Sequence, residues 1–363
     1  SAERMLELEP KLAPDVAGGL YAPGGGVVEP YRYVFSLLEL AKRNGVEFLS
    51  NCKLENASFA DGAWTLQAHD GRRIRAKYAV NAAGLHADDV SRIFGAEEFR
   101  ISARKGEEYL LDRTSAAYPS KVVFPVPVKH SKGVLVIPTV DGTTMVGPTA
   151  EIVGDKEDHS TTAENRSAVF RQARRMVPAV SERDLITGFS GSRPVMEGND
   201  FYIAFSKKAE NLIQAAGIQS PGLTASPAIA GYICGLLREN GVRLEEKAQF
   251  ASMLEPPVQI RRQSAEEADR LHKEDPAWTN IICRCEKISE AEIVDAIRHG
   301  HTTLDGIKFY TRAGMGRCQG GFCSYKILKI IARETGMSLE EATKRGGNTG
   351  FISGHLGDMG KRG

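Results

Sequence analysis

The 363-residue sequence has no stretch approaching the roughly 18 uninterrupted apolar residues that a membrane-spanning helix needs. It also lacks a charge excess: 47 Lys and Arg stand against 46 Asp and Glu, a formal +1. No global field is available to hold a nucleic acid or an anionic bilayer, so any anion site must be local. The opening Ser-Ala-Glu-Arg-Met-Leu-Glu-Leu-Glu-Pro forms neither the apolar block of a signal peptide nor a basic leader. No internal repeat is visible. These absences lead to the expectation of a cytoplasmic protein without a transmembrane segment, free or peripheral to a membrane.

The length suits two or three domains and excludes a peptide hormone. An apolar content of 42% and a charged content of 26% are those of a globular protein, and 37 glycines imply many tight turns. An amphipathic helix is predicted from Tyr31 to Asn44, stopped by Gly45. Strands are predicted at Val46–Leu49, Trp64–Ala68 and Tyr78–Asn81, with a turn at Asp61-Gly62. From Ile101 to Gly147 alternating runs predict a separate antiparallel sheet, followed by a helix over Ala163–Met176 that ends before Pro178. Strands at Phe189–Pro194, Phe201–Phe205 and from Leu212 precede an apolar helix over Ala225–Glu239. The charged stretch 256–280 reads as a linker with an exposed helix at Gln259–Lys273. Beyond it, helices are predicted after the caps Ser289 with Glu292 and Ser338 with Glu341, and from about Cys323 to Gly336. The glycine-rich tail, 348–363, has no periodicity.

Six cysteines are present. Cys52 and Cys234 stand alone and read as buried, unreactive thiols. The other four form a C-x-C pair, Cys283 and Cys285, and a C-x4-C pair, Cys318 and Cys323. In a reducing compartment such clustering points to metal rather than disulfides. Four thiolates can close a tetrahedral zinc site or a 2Fe-2S cluster; structural zinc usually draws C-x2-C pairs, so these spacings favour the larger inorganic core. Gly314, Gly316, Gly320 and Gly321 free backbone N–H groups to turn toward sulfur, and Arg284, Arg312 and Arg317 offset thiolate charge.

The stretch from Ile282 to about Gly347, with Cys-Arg-Cys-Glu, Thr-Leu-Asp-Gly-Ile-Lys and Arg-Ala-Gly-Met-Gly-Arg-Cys-Gln-Gly-Gly-Phe-Cys, resembles the 2Fe-2S domain related to bacterioferritin-associated ferredoxin. That resemblance implies a small all-α helix-turn-helix domain with all four cysteines as ligands. Upstream, Val80-Asn-Ala-Ala-Gly-Leu-His-Ala-Asp-Asp89 and Ala215-Ala-Gly-Ile-Gln-Ser-Pro-Gly-Leu-Thr224 resemble the second nucleotide-contact strand and the closing flavin loop of D-amino-acid-oxidase-like FAD-dependent oxidoreductases. Leu54, Ala82, Ala83, Gly84, Gly217, Ile218, Gly222, Leu223 and Thr224 are the FAD contacts this implies. The physics agrees, since small residues admit a dinucleotide and a helix start offers free N–H groups.

The expected fold class is α+β. Residues 1–255 are a partial FAD-binding α/β domain with an antiparallel substrate sheet at about 101–205, then come the linker 256–280, the cluster domain 281–347 and the tail 348–363. No G-x-G-x-x-G occurs in the sequence. The resemblance implies that this motif lies upstream of Ser1, and the expectation is that this chain holds FAD weakly or not at all.

Arg193, in Gly191-Ser-Arg-Pro194, matches the arginine that this family aims at its anionic substrate, a task suited to a guanidinium fork. His130 is a further candidate for the substrate side. Gly188–Pro194, Pro138–Gly142 and Gly147–Ala150 resemble the anaerobic-type glycerol-3-phosphate dehydrogenase flavoproteins. Implied are oxidation of glycerol 3-phosphate by hydride transfer to flavin, and relay through the cluster to a partner subunit or quinone pool. The alternatives are a 2-hydroxyglutarate or an amine or amino-acid dehydrogenase of the same family, or a non-catalytic cluster- or zinc-binding module. Leu135 stands where the hydroxyglutarate branch usually has histidine.

Overall fold

The computed structural model describes residues 1–113, 117–127 and 132–354. It divides into two compact units, one of Ser1–Gly25 with Gly45–Phe250, the other of Gly26–Asn44 with the chain from Ala251 onward. Along the chain run α1 (Ala2–Leu8), α2 (Pro30–Arg43), β1 (Leu54–Ala60), β2 (Ala63–Ala68), β3 (Arg73–Ala76), β4 (Ala79–Asn81), α3 (Ala87–Ile93) and β5 (Ser102–Leu111). Next come β6 (Leu135–Pro138), β7 (Thr144–Gly147), β8 (Glu151–Val153), α4 (Ala163–Met176), β9 (Leu185–Val195), β10 (Tyr202–Phe205), β11 (Leu212–Ala216) and α5 (Gly222–Glu239). The rest holds α6 (Ala265–Glu274), β12 (Ile281–Cys283), β13 (Ile288–Ser289), α7 (Glu290–Arg298), α8 (Leu304–Thr311) and α9 (Ser324–Thr335).

Among the described residues the first unit has three sheets. The meander β1-β2-β3 turns at Asp61-Gly62, whose φ of +52° and +69° suit a tight hairpin, and Trp64 packs edge-on to Phe94 beneath it. In the second sheet, β10-β11-β4, the last two strands are parallel, with Leu212 opposite Ala79 and Gln214 opposite Asn81. The third has the order β6-β7-β5-β8, with β9 also paired along β5. Alternation on β5 buries Ala103, Lys105, Glu107, Tyr109 and Leu111 on one face, while Arg104, Gly106 and Glu108 belong to the other. Phe170 of α4 packs with Tyr109, Val136 and Val146; burying a ring of this size contributes on the order of 2 kcal/mol.

The second unit is built on Ile288, Ile293, Ile307, Leu328 and Ile331, all fully buried. Cys283 and Cys323 belong to the same core. Helix α2 joins it, with Tyr31 against Phe309 and Phe35 edge-on to His301.

The boundaries expected from chain order therefore differ from the units observed. Helix α2 folds with the cysteine-bearing region. The charged stretch 256–280 is part of that unit too: α6 buries Leu271, and Arg261 places Nη1 3.6 Å from the buried Glu286 carboxylate. Val46–Leu49 forms no strand, because among the described residues no neighbouring strand pairs with it. Ser338 and Glu341 exchange capping hydrogen bonds, yet only a turn follows, since the chain bends at once into the Thr343–Gly350 bridge. No helix among the described residues is long and apolar enough to cross a membrane.

Candidate functional site

Two sites emerge, one in each unit. In the first, β4 and β11 are parallel neighbours, so the segments after them, Ala82–Gly84 and Gly217–Thr224, leave at the same edge, the carboxyl end where α/β sheets take their ligands. Asn81 fixes one of these turns. Buried, it donates from Nδ2 to Ala87 O (2.8 Å) and Gln214 Oε1 (2.7 Å), and its Oδ1 accepts from Ala83 N at 3.3 Å. Ala82 and Ala83 are exposed and without bulk. Gly84 adopts φ +57°, and a Cβ there would meet only open space. Across the edge, Gly217 (φ +65°) leaves room for Met196, and a Cβ on Gly222 would lie 2.5 Å from Ile218 Cγ2. Leu223 and Thr224 are exposed in the first turn of α5, where backbone N–H groups have no intrahelical acceptor. Leu54 does not join this edge: it belongs to β1, and its side chain packs with the Trp64 cluster.

Arg193 lies directly opposite Arg104 on the open face of the β5–β9 pair. Its Nη1 would be 3.0 Å from a Cβ on Gly106, and Gly191, opposite Gly106, is open. Arg104 donates to Gln219 Oε1 at 3.4 Å, inside the segment after β11, and Gln219 Nε2 donates to Asn199 Oδ1 at 2.8 Å. Two guanidinium groups thus stand near the open Gly191, one of them bonded to the segment after β11. Burial pushes the Glu108 carboxyl up, against the pull of Arg193. On the opposite face Glu107 is fully buried, accepting from Tyr109 Oη (2.7 Å), Thr162 N (3.0 Å) and Asn165 Nδ2 (2.8 Å). Burial alone would raise its pKa, and these donors overturn that and lower it. The roles of Asn81, Gln214, Arg104 and Gln219 were not read from the sequence, because each depends on a partner far along the chain. His130 lies outside the described residues.

In the second unit the β12–β13 hairpin carries Cys283 and, in its turn, Cys285; Cys318 lies in the α8–α9 loop and Cys323 caps α9. The sulfurs stand in two pairs. Cys285 Sγ is 3.5 Å from Cys318 Sγ, and Cys283 is hydrogen-bonded to Cys323. Among the described residues no three His, Cys, Asp or Glu side chains gather around one ion position. A separation of 3.5 Å is close to the edge of a tetrahedral thiolate site, ~3.8 Å for metal–sulfur bonds of about 2.3 Å. Two such pairs fit a core of two irons, each taking two cysteines. Backbone N–H groups of Gly314 and Glu286 donate to Cys283, that of Cys318 to Cys285, and those of Gly320 and Phe322 to Cys318. Such bonds stabilise negative sulfur. The hydrogen bond with Cys323 leads the effects that bring the Cys283 thiol down to about 6, while the same bond pushes Cys323 up.

Glycine is sterically required here: a Cβ on Gly316 would lie 2.3 Å from Cys285 Cβ. Behind the loop, Arg312 in the left-handed conformation (φ +77°) donates from Nε to Glu286 Oε2 at 2.9 Å and from Nη1 to Tyr31 Oη at 2.8 Å. Glu29 Oε1 lies 3.5 Å from the same Nη1. The sequence reading assigned Arg312 to the offset of thiolate charge; it is instead buried in this carboxylate network. Of the isolated thiols, Cys52 is half-buried, but Cys234, expected to be buried, is exposed on α5.

The comparisons with known proteins follow the same division. Residues 1–236 match the FAD dependent oxidoreductase family, and residues 281–333 match the BFD-like [2Fe-2S] binding domain. A glycerol 3-phosphate dehydrogenase from Caloramator mitchellensis is 39% identical over 95% of this chain and 72% of its own length. The anaerobic glycerol-3-phosphate dehydrogenase subunit A1 of Haloferax volcanii is 24% identical over 92% of this chain and 64% of its own. A structure of dithionite-reduced L-alpha-glycerophosphate oxidase from Mycoplasma pneumoniae, with FAD bound, superposes with a TM-score of 0.65 at 30% identity, over 69% of this chain and 66% of that one. The chain thus spans about two thirds to three quarters of these relatives, and it belongs to the family of FAD dependent oxidoreductases, with a BFD-like [2Fe-2S] binding domain toward its C-terminus.

Proposed function

We propose that this chain serves the oxidation of glycerol 3-phosphate to dihydroxyacetone phosphate, with electrons leaving singly through a 2Fe-2S cluster to a partner subunit or quinone pool. FAD, when bound, supplies the hydride acceptor. The observation that carries the reading is the pair Arg193 and Arg104, the latter 3.4 Å from Gln219 in the segment expected to face the flavin. The Arg193 fork suits two oxygens of a phosphate, and Arg104 adds a second cation, which a dianion exploits more than a carboxylate does. Gly191 leaves open space for the carbon chain, whereas Gly106 lets Thr149, Pro148 and Arg193 close in against β5. Ala82–Gly84 and Gly217–Thr224 would hold the cofactor, with Asn81 and Gln214 fixing the strands beneath. Cys283, Cys285, Cys318 and Cys323 would hold the cluster. Similarity to the dehydrogenase of Caloramator mitchellensis over 95% of the chain supports the same substrate.

Turnover with glycerol 3-phosphate, 2-hydroxyglutarate and glycine, in the presence of added FAD and an artificial electron acceptor, tests this. Activity confined to the hydroxy acid or the amino acid would reject it. A second reading, a non-catalytic cluster-binding module, rests on the four cysteines alone. Stoichiometric flavin in the purified chain would end that one.

A further inference from the structure

The outward pair of the four-cysteine centre is Cys285 and Cys318: Cys285 is exposed and Cys318 half-buried, whereas Cys283 and Cys323 are buried. Phe322, whose N–H donates to the Cys318 sulfur, is 83% exposed. That is far more than an aromatic side chain adopts for packing. Tyr325, in the first turn of α9, is 49% exposed and is held beneath the Lys329 ammonium, 4.7 Å from the ring centroid. An apolar knob thus stands beside the accessible sulfurs.

The charge around it has one sign. Arg284, Lys287, Arg317, Lys326 and Lys329 are all exposed. Residues 312–329 contain no Asp or Glu, although the whole chain is balanced. Two acids of this unit, Glu286 and Glu29, are buried against Arg312.

We propose that this face docks an acidic one-electron carrier protein, Phe322 entering its surface and the cations steering it toward Cys285 and Cys318. The inference rests on the reading of the four cysteines as cluster ligands. An apolar centre with a charged rim is the usual anatomy of a protein interface, and a positive field raises the encounter rate with an acidic partner. In each encounter one electron passes: the centre is oxidised by it, the partner's redox group is reduced by it, and no atom moves. A single protruding aromatic ringed by cations suits a protein surface with a complementary pocket and acidic rim more than a lipid surface, which offers no such pocket.

Fluorescently labelled flavodoxin, an acidic carrier, tests this against the full chain at about 10 mM and about 150 mM salt, where screening changes most. Binding should weaken at least tenfold at the higher salt. The double variant Lys326→Glu/Lys329→Glu should lose at least tenfold at low salt and little at high salt. Phe322→Ser, with the charges intact, should weaken binding at both. Circular dichroism checks that each variant folds. Salt-independent binding, an unchanged charge variant, no binding at all, or variant-sensitive binding to phosphatidylserine vesicles in place of flavodoxin would overturn the proposal. Iron and acid-labile sulfide analysis separates the two claims: if the centre proves to hold zinc while flavodoxin binding behaves as expected, the redox reading fails and the docking face stands.

Discussion

Replacing Arg312 tests whether the buried network behind the cysteines holds the second unit together. Its side chain is 6% exposed and that of Glu286 2%, with Nε and Oε2 2.9 Å apart. Removing one member of such a pair generally costs about 3–5 kcal/mol, because the other charge stays buried. Arg261, 3.6 Å from the same oxygen, compensates in part, so Arg312→Ala should cost about 3 kcal/mol. For a unit of this size that lowers Tm by roughly 10 °C. The backbone supplies an internal control. At φ +77° a Cβ is disfavoured by about 1 kcal/mol, a strain that glycine does not have, so Arg312→Gly should be the more stable of the two variants although it removes the same ion pair. Thermal unfolding followed by circular dichroism reads both values. If Arg312→Ala melts with the parent, or if the glycine variant is the less stable, the account of this network is wrong.

Gly316→Ala should abolish metal loading, since its Cβ would lie 2.3 Å from that of Cys285; bound iron per chain is the measurement, with about 1–3 kcal/mol of lost stability from overpacking. Arg193→Lys should raise KM for glycerol 3-phosphate by roughly 10- to 100-fold, the equivalent of about 1.5–3 kcal/mol for a charged hydrogen bond, with kcat affected less. His86 has a raised pKa, first through its hydrogen bond with Asp89 (3.1 Å) and then through Glu157 (2.9 Å). Its stabilisation should be complete below its ordinary value of about 6.5 and vanish as pH rises through the raised one. The Tm difference between the parent and His86→Gln should therefore be largest in acid and disappear in base, and a difference independent of pH would reject this.

Local signals were legible where cap and stripe coincide. Helix α4 spans the residues expected because Thr162 accepts from Asn165 N and Pro178 blocks extension, and the Ser289–Glu292 box starts α7 as read. The same box at Ser338 gave only a turn, since a cap needs an apolar face behind it to extend into a helix. β1 was missed because Leu-Glu-Asn-Ala-Ser-Phe-Ala has polar residues where a strand usually shows an apolar run. Spacing identified the cysteines, while their pairing into 285 with 318 and 283 with 323 depends on which loops fold against each other. Helix α2 showed its stripe plainly, but a stripe does not name the core it will enter.

That helix has a practical consequence. The polypeptide passes from one unit to the other three times, at 25–26, 44–45 and 250–251. A protease nick near residue 250 would cut the only covalent link of 251–363, which would then be held by its packing with α2 alone. A gene fragment beginning at 251 would encode every cysteine of the centre but omit Tyr31 and Glu29, against which Arg312 folds. Such a truncated product should be a poorer host for iron than the uncut chain, and supplying residues 26–44 as a separate peptide should restore it.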